Sequence, residues 1–234
     1  MKTLCTVFTL TLATLLVGQT STQTQYAAYL KASKTMWEKS IELAKEESGE
    51  KSFEVAIAMF GLLNNTMATK DEETFQEYKD STVDLLKSII EEKPKWGEPK
   101  AVLSSTYGLV MAYSPMKGMM LGMKSNSLMA DAMELQPESP LVQKLYGGSK
   151  LYTPEMFGGD PEVAVESYSE SIRLYKENES TGENWLYLDT MMGLAIAYRK
   201  TSKNEMAKST LEEAVEIEPM YYWAKSTLAS WEKS

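Results

Sequence analysis

Residues 188–221, LDTMMGLAIAYRKTSKNEMAKSTLEEAVEIEPMY, decide the fold. Large and small side chains recur there at the three- and four-residue spacing of two successive helices. The small ones are Ala195, Ala207 and Ala214, and the large ones include Tyr198 and Leu211. Small side chains let two helices approach closely, the large ones fill the space between them, and Pro219 ends the second helix. The stretch therefore predicts a helical hairpin.

This spacing resembles the tetratricopeptide repeat, a helical hairpin of about 34 residues, and it matches that pattern without a gap. Met191 stands where the pattern usually has tryptophan, a change that a packed position tolerates. Two further units match the pattern less closely. Their matching residues are Leu145, Tyr152, Ala164, Tyr168 and Ile172 in one, and Gly108, Met129, Ala132 and Pro137 in the other. An earlier hairpin, residues 53–94, keeps only the general shape of the repeat.

Along the rest of the chain, apolar residues also recur at helical spacing, and residues that end helices occur at regular intervals. Prolines fall where helices should end, at Pro94, Pro115, Pro137, Pro154 and Pro219. Asp160 is suited to cap a helix whose first residue is Pro161. No stretch alternates with a two-residue period, so no strand is expected. We predict an all-α chain, an α-solenoid of about ten helices.

The N-terminus has the order of a secretory signal peptide. A short basic start, Met1-Lys2, precedes the largely apolar residues 4–17 and the small polar residues 18–25. Cleavage near Gln19 would leave residues 20–234 as a single helical domain, and the alternative is a buried N-terminal helix. The sole cysteine, Cys5, lies in this segment, so the mature chain would form no disulfide. We expect a soluble periplasmic or secreted protein, since no second apolar run of membrane-spanning length follows.

Composition excludes several functions. The net charge is −9, from 33 acidic and 24 basic residues, and no basic cluster occurs that would follow nucleic acid or an anionic membrane. The chain has no histidine, which removes histidine-based acid–base catalysis, the usual nucleophile pairs and ordinary zinc sites. A hydrolase using two carboxylates is an alternative, but the acidic clusters sit where helices face solvent. We therefore predict a non-catalytic protein without a cofactor.

Methionines are concentrated in one segment. Seven fall between residues 111 and 133: Met111, Met116, Met119, Met120, Met123, Met129 and Met133. Thioethers are soft ligands, so a copper(I)-binding protein is one alternative. Methionine at helical spacing more commonly fills gaps between packed helices, and we expect that role and no metal site.

The predicted binding surface is the concave groove that first helices line in tetratricopeptide arrays. The residues expected to face it are Tyr113, Tyr146, Lys150, Asp189, Met192, Ile196, Arg199 and Lys200. Tyrosine, methionine and basic side chains suit a peptide or protein partner, or an acidic ligand. Alternatively, these residues pack against a long N-terminal helix from Tyr26 to Lys45, with Trp37 filling the groove.

Beyond the generic repeat, residues 53–234 resemble a family of exported bacterial tetratricopeptide proteins of unknown function. The specific motifs are residues 135–140 (LQPESP) and residues 152–159 (YTPEMFGG). Members carry Asn-Pro-Arg where this chain has Ser139-Pro140-Leu141, so a contact made by that arginine is missing here. A more remote resemblance, in general design, is to the tetratricopeptide subunit of tripartite periplasmic solute transporters. These resemblances imply an interaction module, with a solute-binding accessory subunit as the alternative.

Overall fold

The computed structural model describes residues 19–232, and all regular structure in that range is helical. The predicted signal peptide, apart from Gln19, lies outside the described residues, as does Cys5. The helices are α1 (Ser21–Lys31), α2 (Lys34–Ser48), α3 (Phe53–Thr69), α4 (Glu72–Glu92), α5 (Gly97–Tyr113), α6 (Gly118–Leu135), α7 (Pro140–Tyr152), α8 (Pro161–Glu177), α9 (Trp185–Lys200), α10 (Asn204–Ile217) and α11 (Tyr222–Trp231). Two short 3-10 turns, Pro115–Lys117 and Glu155–Phe157, precede α6 and α8. The prediction of an all-α chain is confirmed.

Proline ends the helices where the sequence predicted it would. α4 stops at Glu92, two residues before Pro94, and α10 stops at Ile217, two residues before Pro219. The same order holds before Pro115, Pro137 and Pro154. Proline disfavours the helical conformation of the residue before it, which explains the common spacing.

Side-chain caps begin several of the helices, among them α7 and α8. The Asp160 carboxylate accepts hydrogen bonds from the backbone N–H groups of Glu162 and Val163, at 3.0 and 3.3 Å, and Pro161 is the first residue of α8. Ser139 caps α7 in the same way. Such caps satisfy backbone donors that lack a partner inside the helix.

The N-terminal segment forms two helices where the sequence indicated one helix from Tyr26 to Lys45. Ala32 adopts the left-handed conformation, with φ 47°, and ends α1. The Ser33 hydroxyl then accepts a hydrogen bond from the Met36 backbone N–H and starts α2. This short break folds α1 back along α2, where the Ser21 hydroxyl donates to the Ser40 carbonyl at 2.9 Å.

Consecutive helices pack as hairpins, and the odd-numbered helices form an inner layer. Contacts run from α1 to α3, from α3 to α5, from α5 to α7 and from α7 to α9. α1 also contacts α9, so the first helix lies against the inner surface of the fourth following hairpin. The groove that an open array would present is therefore occupied, along α9, by the N-terminal helix of the same chain.

Two tryptophans join the start of the array to its end. Trp37 of α2 is 1% exposed and packs edge-on against Trp185 of α9, with ring centroids 5.2 Å apart. Gly61 permits this arrangement, because a Cβ atom there would lie 2.2 Å from the Trp37 ring. Burying a large aromatic side chain stabilises the fold by several kcal/mol, on the order of 3.

The methionine-rich segment divides into packed and exposed residues. Met129 is 4% exposed and lies in the core, and Met133 packs against it, as expected of gap-filling methionine. Met116, Met120 and Met123 are 100%, 60% and 72% exposed. The interpretation of these three as core residues is wrong, because the turn Pro115–Lys117 and the first turns of α6 expose them to solvent.

Candidate functional site

The eight residues predicted to line a groove fall in three places. Asp189 and Met192 lie on the inner face of α9, beneath α1, and the partly buried Ile196 packs one turn further along. Tyr146, Lys150, Arg199 and Lys200 lie near the C-terminal ends of α7 and α9. Tyr113, at the end of α5, is separate from both groups. Met192 is 1% exposed, so it offers no surface to a partner in this conformation.

Hydrogen bonds fix α1 to the inner face of α9. The Tyr29 hydroxyl donates to the Asp189 carboxylate at 3.0 Å, and it lies 2.5 Å from the Tyr221 hydroxyl. Asp189 also forms an ion pair of 2.7 Å with Lys144 of α7, whose side chain is 8% exposed. Because a buried ammonium group needs a partner, Asp189 has a structural role here.

Three further side-chain contacts extend along α1. The Tyr26 hydroxyl donates to Glu218 at 2.8 Å, Trp185 Nε1 donates to Gln25 at 3.1 Å, and Gln23 Nε2 donates to Glu183 at 3.1 Å. We call α1 with these contacts the N-terminal latch. Each such bond contributes about 0.5–1.5 kcal/mol, so the latch depends on several weak polar contacts together.

Burial keeps the latch tyrosines protonated. It raises the pKa of the Tyr29 hydroxyl well above its usual value, and the negative Asp189 carboxylate raises it further. Burial acts in the same direction on the pKa of Tyr221. Both hydroxyls therefore keep their protons at neutral pH and can donate them in hydrogen bonds.

The second group forms a surface that we call the cationic rim, where α7, α9 and α11 end together. It comprises Tyr146, Lys150, Tyr152, Arg199, Lys200 and Trp231. Lys150 Nζ lies 5.3 Å from the centre of the Tyr146 ring, and Lys200 Nζ lies 5.8 Å from that of Tyr152. The Arg199 guanidinium lies 5.1 Å from the Trp231 ring. Cations in the last turn of a helix also complement its dipole, which explains their position.

The loop between α7 and α8 projects apolar side chains beside the rim. Met156 is 83% exposed, Phe157 is 64% exposed and Tyr152, at its start, is 65% exposed. The repeat pattern matched Tyr152 to a packed position, and its exposure corrects that match, because the longer loop carries it outward. Exposed aromatic and methionine side chains next to cations are typical of protein-binding surfaces.

Backbone geometry holds this loop in one conformation. Gly158 has φ 95°, in the left-handed region that favours glycine. A Cβ atom on Gly159 would lie 1.8 Å from the Thr153 carbonyl oxygen, so a larger residue there would force the loop open. Lys150 Nζ donates to the Gly158 carbonyl at 3.0 Å, and Lys200 Nζ donates to the Leu151 carbonyl at 2.7 Å. The rim lysines therefore also hold the loop in place.

Tyr113 supports the packing of the N-terminal hairpins. Its hydroxyl donates to the Thr66 carbonyl at 2.9 Å, and its ring stacks on Phe75 with centroids 4.1 Å apart. The half-buried side chain thereby ties α5 to α3 and α4.

The motif LQPESP, residues 135–140, acts as a connector between hairpins. Gln136 Oε1 accepts hydrogen bonds from the backbone N–H groups of Gly97 and Glu98, at 2.6 and 3.0 Å. The Ser139 hydroxyl donates to the Glu98 carboxylate at 2.6 Å and caps α7. These residues complete the N-terminus of α5, which has no capping side chain of its own.

Two surface clefts elsewhere are each lined by a mixture of charged and apolar side chains. A cleft of about 370 Å³ between α4, α5 and α6 is bordered by Lys87, Glu91 and Lys124, and the rest of its lining is mainly apolar. A second, of about 300 Å³, lies where α2, α3 and α4 meet. Within residues 19–232, no group of three or more acidic side chains is placed to hold a metal ion. In the same range, no helix has the length and apolar character needed to cross a membrane.

Comparison with known proteins supports the architecture. No protein-family model matches the sequence, and a search of curated proteins gives no significant match. Among solved structures, a thermophilic TPR protein from Thermus thermophilus is similar, with a TM-score of 0.57 and 16% sequence identity. The similarity covers 90% of this chain and 94% of that chain. This chain has a tetratricopeptide-repeat fold. At this identity the similarity concerns the fold alone.

The sequence analysis identifies four of the six rim residues: Tyr146, Lys150, Arg199 and Lys200. It does not identify Tyr152 and Trp231 as surface residues. Trp231 was missed because α11 follows the last recognisable repeat, so no pattern assigned its face. Tyr152 was noticed, but as a packing residue. The signal that could have identified it is the added length of the loop that follows, since insertions in repeat proteins form surface features.

Proposed function

We propose that the protein is a non-catalytic interaction module that presents the cationic rim to a protein or peptide partner outside the cytoplasm. The observation that carries the proposal is the grouping of three cation–aromatic pairs at the ends of α7, α9 and α11. Arginine, tyrosine and tryptophan contribute more binding energy at protein interfaces than most residues. The export route rests on the predicted signal peptide.

The N-terminal latch favours the rim over the inner groove as the contact surface. α1 covers Asp189 and Met192, so a partner could reach them only after the latch opened. The rim needs no such rearrangement, because Lys200 and Tyr152 are already exposed. Binding to a preformed surface avoids the free-energy cost of a conformational change.

The chemistry of the rim indicates which partner segments it suits. Lys150, Arg199 and Lys200 supply positive charge within a chain whose net charge is −9. Beside them, Tyr152, Met156 and Phe157 supply apolar surface. We infer that the partner segment combines carboxylates with at least one apolar anchor. The alternative, a solute-binding transport subunit, predicts binding in an enclosed apolar cavity rather than on an exposed surface.

Affinity capture from native extracts tests the proposal. The Arg199→Glu, Lys200→Glu variant should capture its partner with a yield reduced about tenfold or more, since charge reversal opposes association. A matched control reverses Lys176 and Lys208, two exposed cations in ion pairs on α8 and α10. This control changes the net charge equally and should capture as wild type does.

Lys200 also holds the α7–α8 loop in place, so its substitution could disturb the structure as well as binding. A second variant separates these two effects. Met156→Ser with Phe157→Ser removes two exposed apolar side chains and leaves the rim cations in place. It should melt at the wild-type temperature and still lose the partner. If this variant and the charge-reversal variant both capture the same proteins as wild type with equal yield, the rim and its adjoining loop are not the contact surface.

A further inference from the structure

Three methionines in the turn Pro115–Lys117 and the first turns of α6 are exposed to solvent. Met116, Met120 and Met123 follow one another at spacings of four and three residues, and the turn Pro115–Lys117 runs directly into α6. Side chains at these spacings are neighbours on a helical surface, with Cβ atoms about 5–6 Å apart. We call these three residues the methionine stripe. They belong neither to the rim nor to the latch.

The stripe presents sulfur without competing oxygen ligands from its own part of the chain. No aspartate or glutamate occurs between residues 99 and 130, and the protein has no histidine. Thioether sulfur is a soft ligand that selects soft ions such as Cu(I) over hard divalent ions. Methionine has three rotatable side-chain bonds, so neighbouring thioethers can converge on one ion. The exposed Lys124, next to Met123, disfavours a divalent ion more than a monovalent one.

We propose that Met116, Met120 and Met123 form a binding site for one soft monovalent metal ion, Cu(I) or its chemical analogue Ag(I), with their thioether sulfur atoms as ligands. This site is additional to the proposed partner surface and does not depend on it. Its exposure suits an ion that is taken up and passed on, since solvent reaches all three side chains.

Ag(I) is the appropriate probe, because it binds thioethers as Cu(I) does and needs no reductant. The full mature chain is labelled with ¹³C in its methionine methyl groups and titrated with Ag(I). Methyl signals of Met116, Met120 and Met123 should shift together and stop changing at one equivalent. Those of Met191 and Met192, each 1% exposed, should not move.

A triple Leu variant of the stripe keeps apolar surface and removes sulfur. It should weaken Ag(I) binding about tenfold or more, as expected when all soft ligands are lost. The matched control replaces Met156, Met206 and Met220 by Leu, three methionines exposed to 83%, 49% and 54% outside the stripe. This control should bind Ag(I) with wild-type affinity.

Three results would overturn the proposal. The first is the absence of stoichiometric Ag(I) binding. The second is an equal loss of affinity in the control, which would mean that any exposed thioether suffices. The third is wild-type affinity in the triple Leu variant.

Discussion

The α9–α10 hairpin and the α5–α6 hairpin are equivalent units of the array, yet α9 buries its methionines whereas the start of α6 exposes them. Met191 and Met192 on α9 are each 1% exposed, whereas Met116 and Met123 before and within α6 are 100% and 72% exposed. α9 contacts α1, α7, α8 and α10, while α6 contacts mainly α5 and, less extensively, α7. Met129, further along α6, is 4% exposed, so the contrast is between the enclosed helix α9 and the first turns of α6.

The largest expected effect comes from truncating a methionine on α9. Met191→Ala should reduce the free energy of unfolding by about 2–5 kcal/mol, because it removes buried apolar surface and leaves a cavity. Urea denaturation followed by circular dichroism measures the change. A loss below about 0.5 kcal/mol, the range typical of surface positions, would show that α9 is not enclosed as described.

Substitution of a polar residue on α9 should also lower the stability of the fold. Asp189→Ala should cost about 1–3 kcal/mol, because it leaves the buried Lys144 ammonium without its ion-pair partner. Adding Lys144→Met should recover much of that loss, since the uncompensated charge is then removed. The free energies of unfolding of Asp189→Ala, Lys144→Met and the double variant give the interaction energy between the two side chains. Simple additivity of the two single effects would contradict a direct ion pair.

A smaller and more local effect is expected at the latch. Tyr29→Phe removes the hydroxyl shared by Asp189 and Tyr221 and should weaken α1 docking by about 1 kcal/mol. Hydrogen–deuterium exchange should become faster in residues 21–31 and stay unchanged in α10. Faster exchange spread evenly over all helices would indicate global destabilisation instead.

The smallest effect is expected at the methionine stripe. Replacing Met116, Met120 and Met123 by alanine should change the free energy of unfolding by no more than about 0.5 kcal/mol per site, as is usual at exposed positions. The same denaturation measurement applies, with Met191→Ala as the reference for a buried site. A loss above about 2 kcal/mol at any one site would mean that the stripe is packed, and the comparison of the two hairpins would fail.

The sequence predicts helices well where the spacing of apolar residues agrees with the positions of residues that start or end helices. Pro94 and Pro219 mark helix ends because proline acts locally, and Asp160 marks a helix start for the same reason. The break at Ala32 was missed, since alanine seldom adopts the left-handed conformation and nothing in its own chemistry signals a stop.

The candidate site was less predictable, because it depends on contacts between distant parts of the chain. Arg199 and Lys200 could be assigned to the end of α9 from spacing alone. Their neighbours Trp231 and Tyr152 lie on other helices, and only tertiary packing brings them together. The covering of Asp189 by α1 likewise joins residues 160 positions apart, which no local pattern reports.

Hydrogen–deuterium exchange on the complex with the captured partner tests the central claim most directly. If the partner binds the rim while the latch stays closed, exchange should slow in residues 150–157 and near Lys200, and exchange in α1 should not change. Altered exchange across α1 together with the inner face of α9, without protection of the rim, would contradict the claim and place the partner in the groove.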